Sequence, residues 1–79
     1  MTPREPGRLT EREIEALVLV ANGFTSKQIS ARLGVGMQGI HSRLAAAGRV
    51  LGASSRTHAV ALAIAGGFID VAEIHPTNR

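Results

Sequence analysis

An all-α fold is what the sequence predicts, on three observations. Apolar residues recur three and four positions apart in successive stretches, the spacing that lines one face of a helix. Helix-starting residues stand ahead of those stretches, at Thr10, Thr25 and Ser55, where a side-chain oxygen can accept from a free first-turn amide. Glycines stand behind them, at Gly23, Gly34, Gly52 and the pair Gly66-Gly67, where a chain leaving a helix can take left-handed backbone.

Residues 1–8 hold two prolines and a glycine and are expected to form a disordered tail. Leu9 opens the folded part. Thr10 with Glu13 forms a capping box, and Leu9 with Ile14 a hydrophobic staple. The stripe Ile14, Leu17, Val18, Ala21 carries a first helix over 11–22, closed by Gly23. Its Glu11 and Glu15 read as a solvated face rather than a catalytic pair.

Phe24 is one of two aromatic residues and is expected to plug the core between helices. Thr25 with Gln28 repeats the capping box, and Ile29 and Leu33 face inward from a short helix ending at Gly34. After the turn Gly34-Val35-Gly36 comes a long helix, about 36–51. Ile40, Leu44, Ala47 and Leu51 line its inner side, and Gln38, Ser42, Ala45, Ala46 and Arg49 its outer arc, with His41 at the boundary. A small, cationic, acid-free front on an apolar back is the pattern of a helix that anchors in a core and faces nucleic acid. Two short helices joined by a glycine-containing turn form a helix-turn-helix. A last helix, Arg56 to about Ala65, follows Ser55, with Val60, Ala63 and Ile64 on one face. Phe68 and Ile69 are expected to fold back into the core. Residues 70–79 form a C-terminal tail in which Asp70 and Glu73 can cap one more turn.

The 79 residues make one small domain. At this size a core rarely supplies more than about 3–5 kcal/mol, so self-association is expected. There is no cysteine. The longest apolar runs, Ala16–Ala21 and Ala59–Ala65, are too short for a membrane span, and the N-terminus lacks a signal-peptide core. A soluble cytoplasmic protein is expected. No Asp or Glu occurs between Ala16 and Ile69, whereas Lys27, Arg32, Arg43, Arg49 and Arg56 all do. Such a segment attracts a polyanion. The three histidines lie seventeen residues apart, without a short metal-binding spacing. No catalysis, metal or cofactor is expected.

The runs L-T-E-R-E (9–13), G-F-T-S-K-Q-I-S-A-R-L-G-V (23–35), S-S-R-T-H-A-V (54–60) and G-F-I (67–69) together resemble the LuxR/FixJ-type helix-turn-helix domain. The likeness runs without gaps over residues 9–69. It implies a four-helix bundle whose third helix enters the DNA major groove and whose fourth commonly forms a dimer seam. By position, Thr25, Ser26 and Lys27 resemble the family's backbone-contacting residues, and His41, Ser42 and Ala45 stand where family members touch base edges. Gln38 joins them as a hydrogen-bonding side chain, Ala45 can meet only a thymine methyl, and Arg43 and Arg49 are assigned to phosphates. Val60, Ala63 and Ile64 are assigned to the dimer interface.

The chain departs from the family pattern at Gly36, Gly39, Ala47 and Gly48. Gly36 replaces a serine cap, Gly39 a common threonine, and Ala47 and Gly48 larger residues. Helix-interior glycines each cost about 0.5–1 kcal/mol relative to alanine, so the third helix is expected to be less stable than is usual. The resemblance implies a sequence-specific transcriptional regulator acting as a homodimer on double-stranded DNA. With eight residues ahead of the domain, a stand-alone regulator is expected, controlled by its concentration, a partner protein or modification. Two alternatives remain, an interaction module that kept the fold but lost DNA binding, and a sigma-factor-like promoter-binding domain.

Overall fold

The computed structural model describes residues 8–76; the tail expected over 1–8 lies outside them except for Arg8. Four helices follow one another, α1 (Glu11–Ala21), α2 (Ser26–Leu33), α3 (Met37–Leu51) and α4 (Arg56–Ala65), then a single 3₁₀ turn over Val71–Glu73. No strand occurs among the described residues.

The helix starts follow the expected chemistry. At α1 the Glu13 amide donates to Thr10 Oγ1 at 3.2 Å and the Thr10 amide to Glu13 Oε1 at 3.1 Å. At α2 the Gln28 amide donates to Thr25 Oγ1 at 3.2 Å and the Thr25 amide to Gln28 Oε1 at 2.8 Å. Each box satisfies two amides that a helix start would leave open. Ser55 caps α4 by accepting the His58 amide at 3.1 Å. Gly36 stands at the N-cap of α3 and gives it no side-chain cap.

The ends are equally specific. α1 stops at Ala21, one residue earlier than expected, because Asn22 leaves the helix. Gly23 then takes a φ of +88°, and the Phe24 amide donates back to the Leu19 carbonyl at 3.1 Å, the six-to-one bond of a Schellman motif. The freed Asn22 side chain donates to the Glu73 carbonyl at 3.0 Å and accepts the His75 amide at 2.7 Å. The stretch expected as a C-terminal tail is therefore docked on the end of α1 as far as His75, with Asp70 capping its short turn. Between α2 and α3 the Ser30 hydroxyl donates to the Val35 carbonyl, which pins the turn of the helix-turn-helix.

α3 is the centre of the bundle and packs on α1, α2 and α4. The buried core is Leu9, Ala16, Leu17, Ile29, Ile40, Leu44, Ala47, Ala59, Ala63 and Ile69. Four of the ten are alanines on α1, α3 and α4, which let these helices approach closely. Ala47 is one of them, fully enclosed at 0 % exposure. Phe24 is half-buried against this core, and its ring lies 5.1 Å from the Arg32 guanidinium carbon. Phe68 and Ile69 return to the core through amides that both donate to the Ala63 carbonyl.

Candidate nucleic-acid interface

α3 shows opposite faces of opposite character. Ile40, Leu44 and Ala47 are buried, and Gln38, His41, Ser42, Ala45 and Arg49 are all exposed. The exposed five recur at i, i+3, i+4, i+7 and i+11, one stripe along the helix. The helix is thus held from behind by apolar packing, and the stripe is left to meet a ligand. Ala46, expected on the outer arc, is half-buried at its edge.

Arg43 is not part of this stripe. It is half-buried and lines a polar cleft with Arg12, Glu15 and Arg32, between α1, the α2–α3 turn and α3. The reason is angular. Position 43 lies three residues after buried Ile40 and one before buried Leu44, so it emerges on the flank that faces α1 and α2. Arg43 thus emerges on this flank, whereas Arg49 lies within the exposed stripe.

At the start of α2, Thr25 and Lys27 are exposed and Ser26 is half-buried. The Thr25 hydroxyl oxygen is engaged by the Gln28 amide, leaving its proton for an external acceptor. The first-turn amides of Ser26 and Lys27 have no intrahelical acceptor, and Lys27 adds a full charge where the helix dipole already favours anions. The described acids stand elsewhere, Glu11, Glu13 and Glu15 on α1 and Asp70 and Glu73 near the chain end. Glu13 is 5 % exposed and spent on its capping box. α2, α3 and α4 therefore carry cations and no carboxylate side chain.

The α4 residues divide differently from the expected seam. Ala63 is at 0 % exposure inside the bundle, where Ala59 is buried one turn before it. It has no surface to offer a second copy, and its assignment to the dimer interface is corrected. Val60 and Ile64 are half-buried at the margin, and the outward strip is Thr57, Ala61 and Ala65. Their four-residue spacing was readable, but alanine occupies both faces of α4, so composition alone did not say which face is inside.

Arg56 had no site role in the sequence reading. It is exposed at the first position of α4 and lines a cleft shared with Arg49. The signals were its membership of the acid-free run and of the run 54–60. Among the described residues no three His, Cys, Asp or Glu side chains cluster as metal ligands, and no helix is long and apolar enough to cross a membrane.

A family model described as bacterial regulatory proteins, luxR family, matches residues 7–63. The chain is 40 % identical over 68 residues to the transcriptional regulatory protein YdfI of Bacillus subtilis, covering 86 % of this chain and 32 % of that protein. It is 43 % identical over 63 residues to the transcriptional activator protein BjaR1 of Bradyrhizobium diazoefficiens, covering 80 % of this chain and 26 % of the relative. It thus spans about a third or less of these relatives. The fold is similar to VqmA of Vibrio cholerae in a complex with ligand and DNA, with a TM-score of 0.71 at 28 % identity over 86 % of this chain and 29 % of that one. A VqmA dimer solved without target DNA gives 0.73 at 25 % identity, over 96 % of this chain and 32 % of that one.

Proposed function

The chain belongs to the luxR family of bacterial regulatory proteins, and from that membership we propose that it is a sequence-specific DNA-binding transcriptional regulator. The observation that carries the proposal is the exposed stripe Gln38, His41, Ser42, Ala45 and Arg49, backed by buried Ile40, Leu44 and Ala47, in a run without a carboxylate side chain. In this reading α3 lies in the major groove. Gln38 and His41 hydrogen-bond to base edges, Ser42 serves as donor or acceptor, and Ala45 packs on a thymine methyl. Thr25, Ser26, Lys27, Arg43 and Arg49 hold phosphates and set the register, Arg43 from the flank of α3. The stripe has few long side chains, so phosphates supply much of the affinity.

We propose further that it acts in the cytoplasm as a homodimer. Its α4 strips (Thr57, Ala61, Ala65 with Val60 and Ile64) meet, and the two α3 helices are set about 34 Å apart, one helical turn of DNA. Similarity to a VqmA dimer supports self-association, and similarity to a DNA-bound VqmA supports DNA binding.

The test is selection from a random-sequence duplex pool by the purified protein, followed by a salt titration of the enriched site. An enriched inverted repeat with steep salt dependence is the expected outcome. Salt-sensitive binding with no enriched sequence contradicts the specific reading. No binding at low salt favours an interaction module, which the uncapped start of α3 at Gly36 would suit.

A further inference from the structure

Beside the exposed stripe, between the second half of α3 and the entry to α4, lies a cleft of about 420 Å³. Leu17 and Leu44 form its floor, Gly48 and Gly52 its α3 wall, and Arg49 and Arg56 line it from α3 and from α4. Gly48 adds no side chain to this wall. A Cβ built there meets no atom within 4 Å, so the space is open rather than filled by a neighbour. Its charge is one-sided, since Arg49 and Arg56 are both exposed and no Asp or Glu occurs between Ala16 and Ile69.

The turn carrying Arg56 is held in place. The Ser54 amide donates to His58 Nδ1 at 3.0 Å, and the His58 amide to Ser55 Oγ at 3.1 Å. Arg56 therefore projects from an ordered helix start. The cleft is also continuous with the α3 stripe, because Ala45 and Arg49 belong to both.

We propose that this cleft is a second seat for the DNA backbone, with a phosphodiester held between Arg49 and Arg56, and that Arg56 is a DNA-contacting residue. The proposal rests on the DNA-binding reading above and extends its contact surface from α3 to α4. Guanidinium groups suit the role because their planar fork meets phosphate oxygens in pairs. A strand leaving the groove beside Ala45 passes the cleft without a carboxylate to repel it. With no side chain at position 48, the backbone can come closer to α3 than a bulky residue there would allow.

The test measures binding of the whole chain to a selected duplex and to a random-sequence duplex across a series of salt concentrations. Arg56→Ala is compared with Arg12→Ala, which removes the same charge from α1. Arg56→Ala is expected to flatten the slope of log affinity against log salt by about one unit per protomer on both duplexes, with base preference unchanged. Arg12→Ala is expected to keep the parent slope. Gly48→Leu, which puts a side chain on the cleft wall, is expected to reproduce the Arg56→Ala loss, and the double variant to add nothing to either. Equal behaviour of Arg56→Ala and Arg12→Ala overturns the proposal while leaving the DNA-binding reading intact. If circular dichroism shows Gly48→Leu unfolded, the arginine pair alone decides. If the parent binds neither duplex at low salt, the DNA reading fails and the seat falls with it.

Discussion

Gly39 and Gly48 both interrupt α3, yet they sit in different surroundings. A Cβ at Gly39 would stand 2.6 Å from Val35 Cγ1, whereas one at Gly48 would touch nothing within 4 Å. Valine is stiff about χ1, so the side chain at 35 cannot simply swing away, and Gly39 is there to let the turn close on the helix. The same substitution should therefore have opposite signs. Gly48→Ala is expected to stabilise the fold by about 0.5–1 kcal/mol through helix propensity. Gly39→Ala is expected to destabilise it by roughly 1–3 kcal/mol through overpacking. Urea denaturation of both variants checks this, and equal shifts would mean that Val35 does not constrain position 39. The binding residues separate in the same way. Lys27→Ala should weaken all duplexes alike and flatten the salt slope by about one unit per protomer. His41→Ala should cost about 1–3 kcal/mol on the selected site and much less on random sequence. A sequence-selective loss at Lys27, or a uniform one at His41, would reverse the two assignments in a titration.

At the scale of the element, α3 shows what a sequence can and cannot convey. Its inner stripe, outer stripe and terminal Gly52, at φ +72°, were legible because each follows from helix periodicity or from glycine's backbone freedom. The capping boxes of α1 and α2 were legible for the same reason, being local along the chain. What was hidden depends on neighbours distant in sequence. The flank on which Arg43 emerges was hidden, because α1 and α2 define it. Ala63 could not be told from Ala61 until the bundle closed on one of them. Asn22 gave no sign that it would grip Glu73 and His75, fifty-one and fifty-three residues on. Ala47 read as a gap where a bulkier residue usually sits, but it is wholly enclosed, and the helices have closed around the smaller side chain. Ala47→Leu is therefore expected to destabilise the protein by about 1–3 kcal/mol rather than fill a void. A rise in the thermal midpoint for this variant would show that space remains at the centre of the bundle.

Across the whole molecule, the small core and the outward strip of α4 bear on each other. Among the described residues, only Leu17, Ile29, Ile40 and Ile69 are large side chains fully withdrawn from solvent. Alanine makes up much of the remainder, and each alanine contributes far less than the about 1.5–3 kcal/mol of a buried leucine or isoleucine. A monomer with this core has a thin margin, and self-association through Thr57, Ala61 and Ala65 would add to it by mass action. The thermal midpoint should then rise with protein concentration, by roughly 3–6 °C for each tenfold increase in a domain of this size. Ala61→Glu places a charge at the centre of the exposed strip and touches no buried core position. It should give monomers in analytical ultracentrifugation and abolish the concentration dependence. The same variant should bind a single half-site as the parent does and lose the gain from the second half-site. A dimer that persists in Ala61→Glu would move the seam to another surface, and a concentration-independent midpoint in the parent would remove self-association as a source of stability.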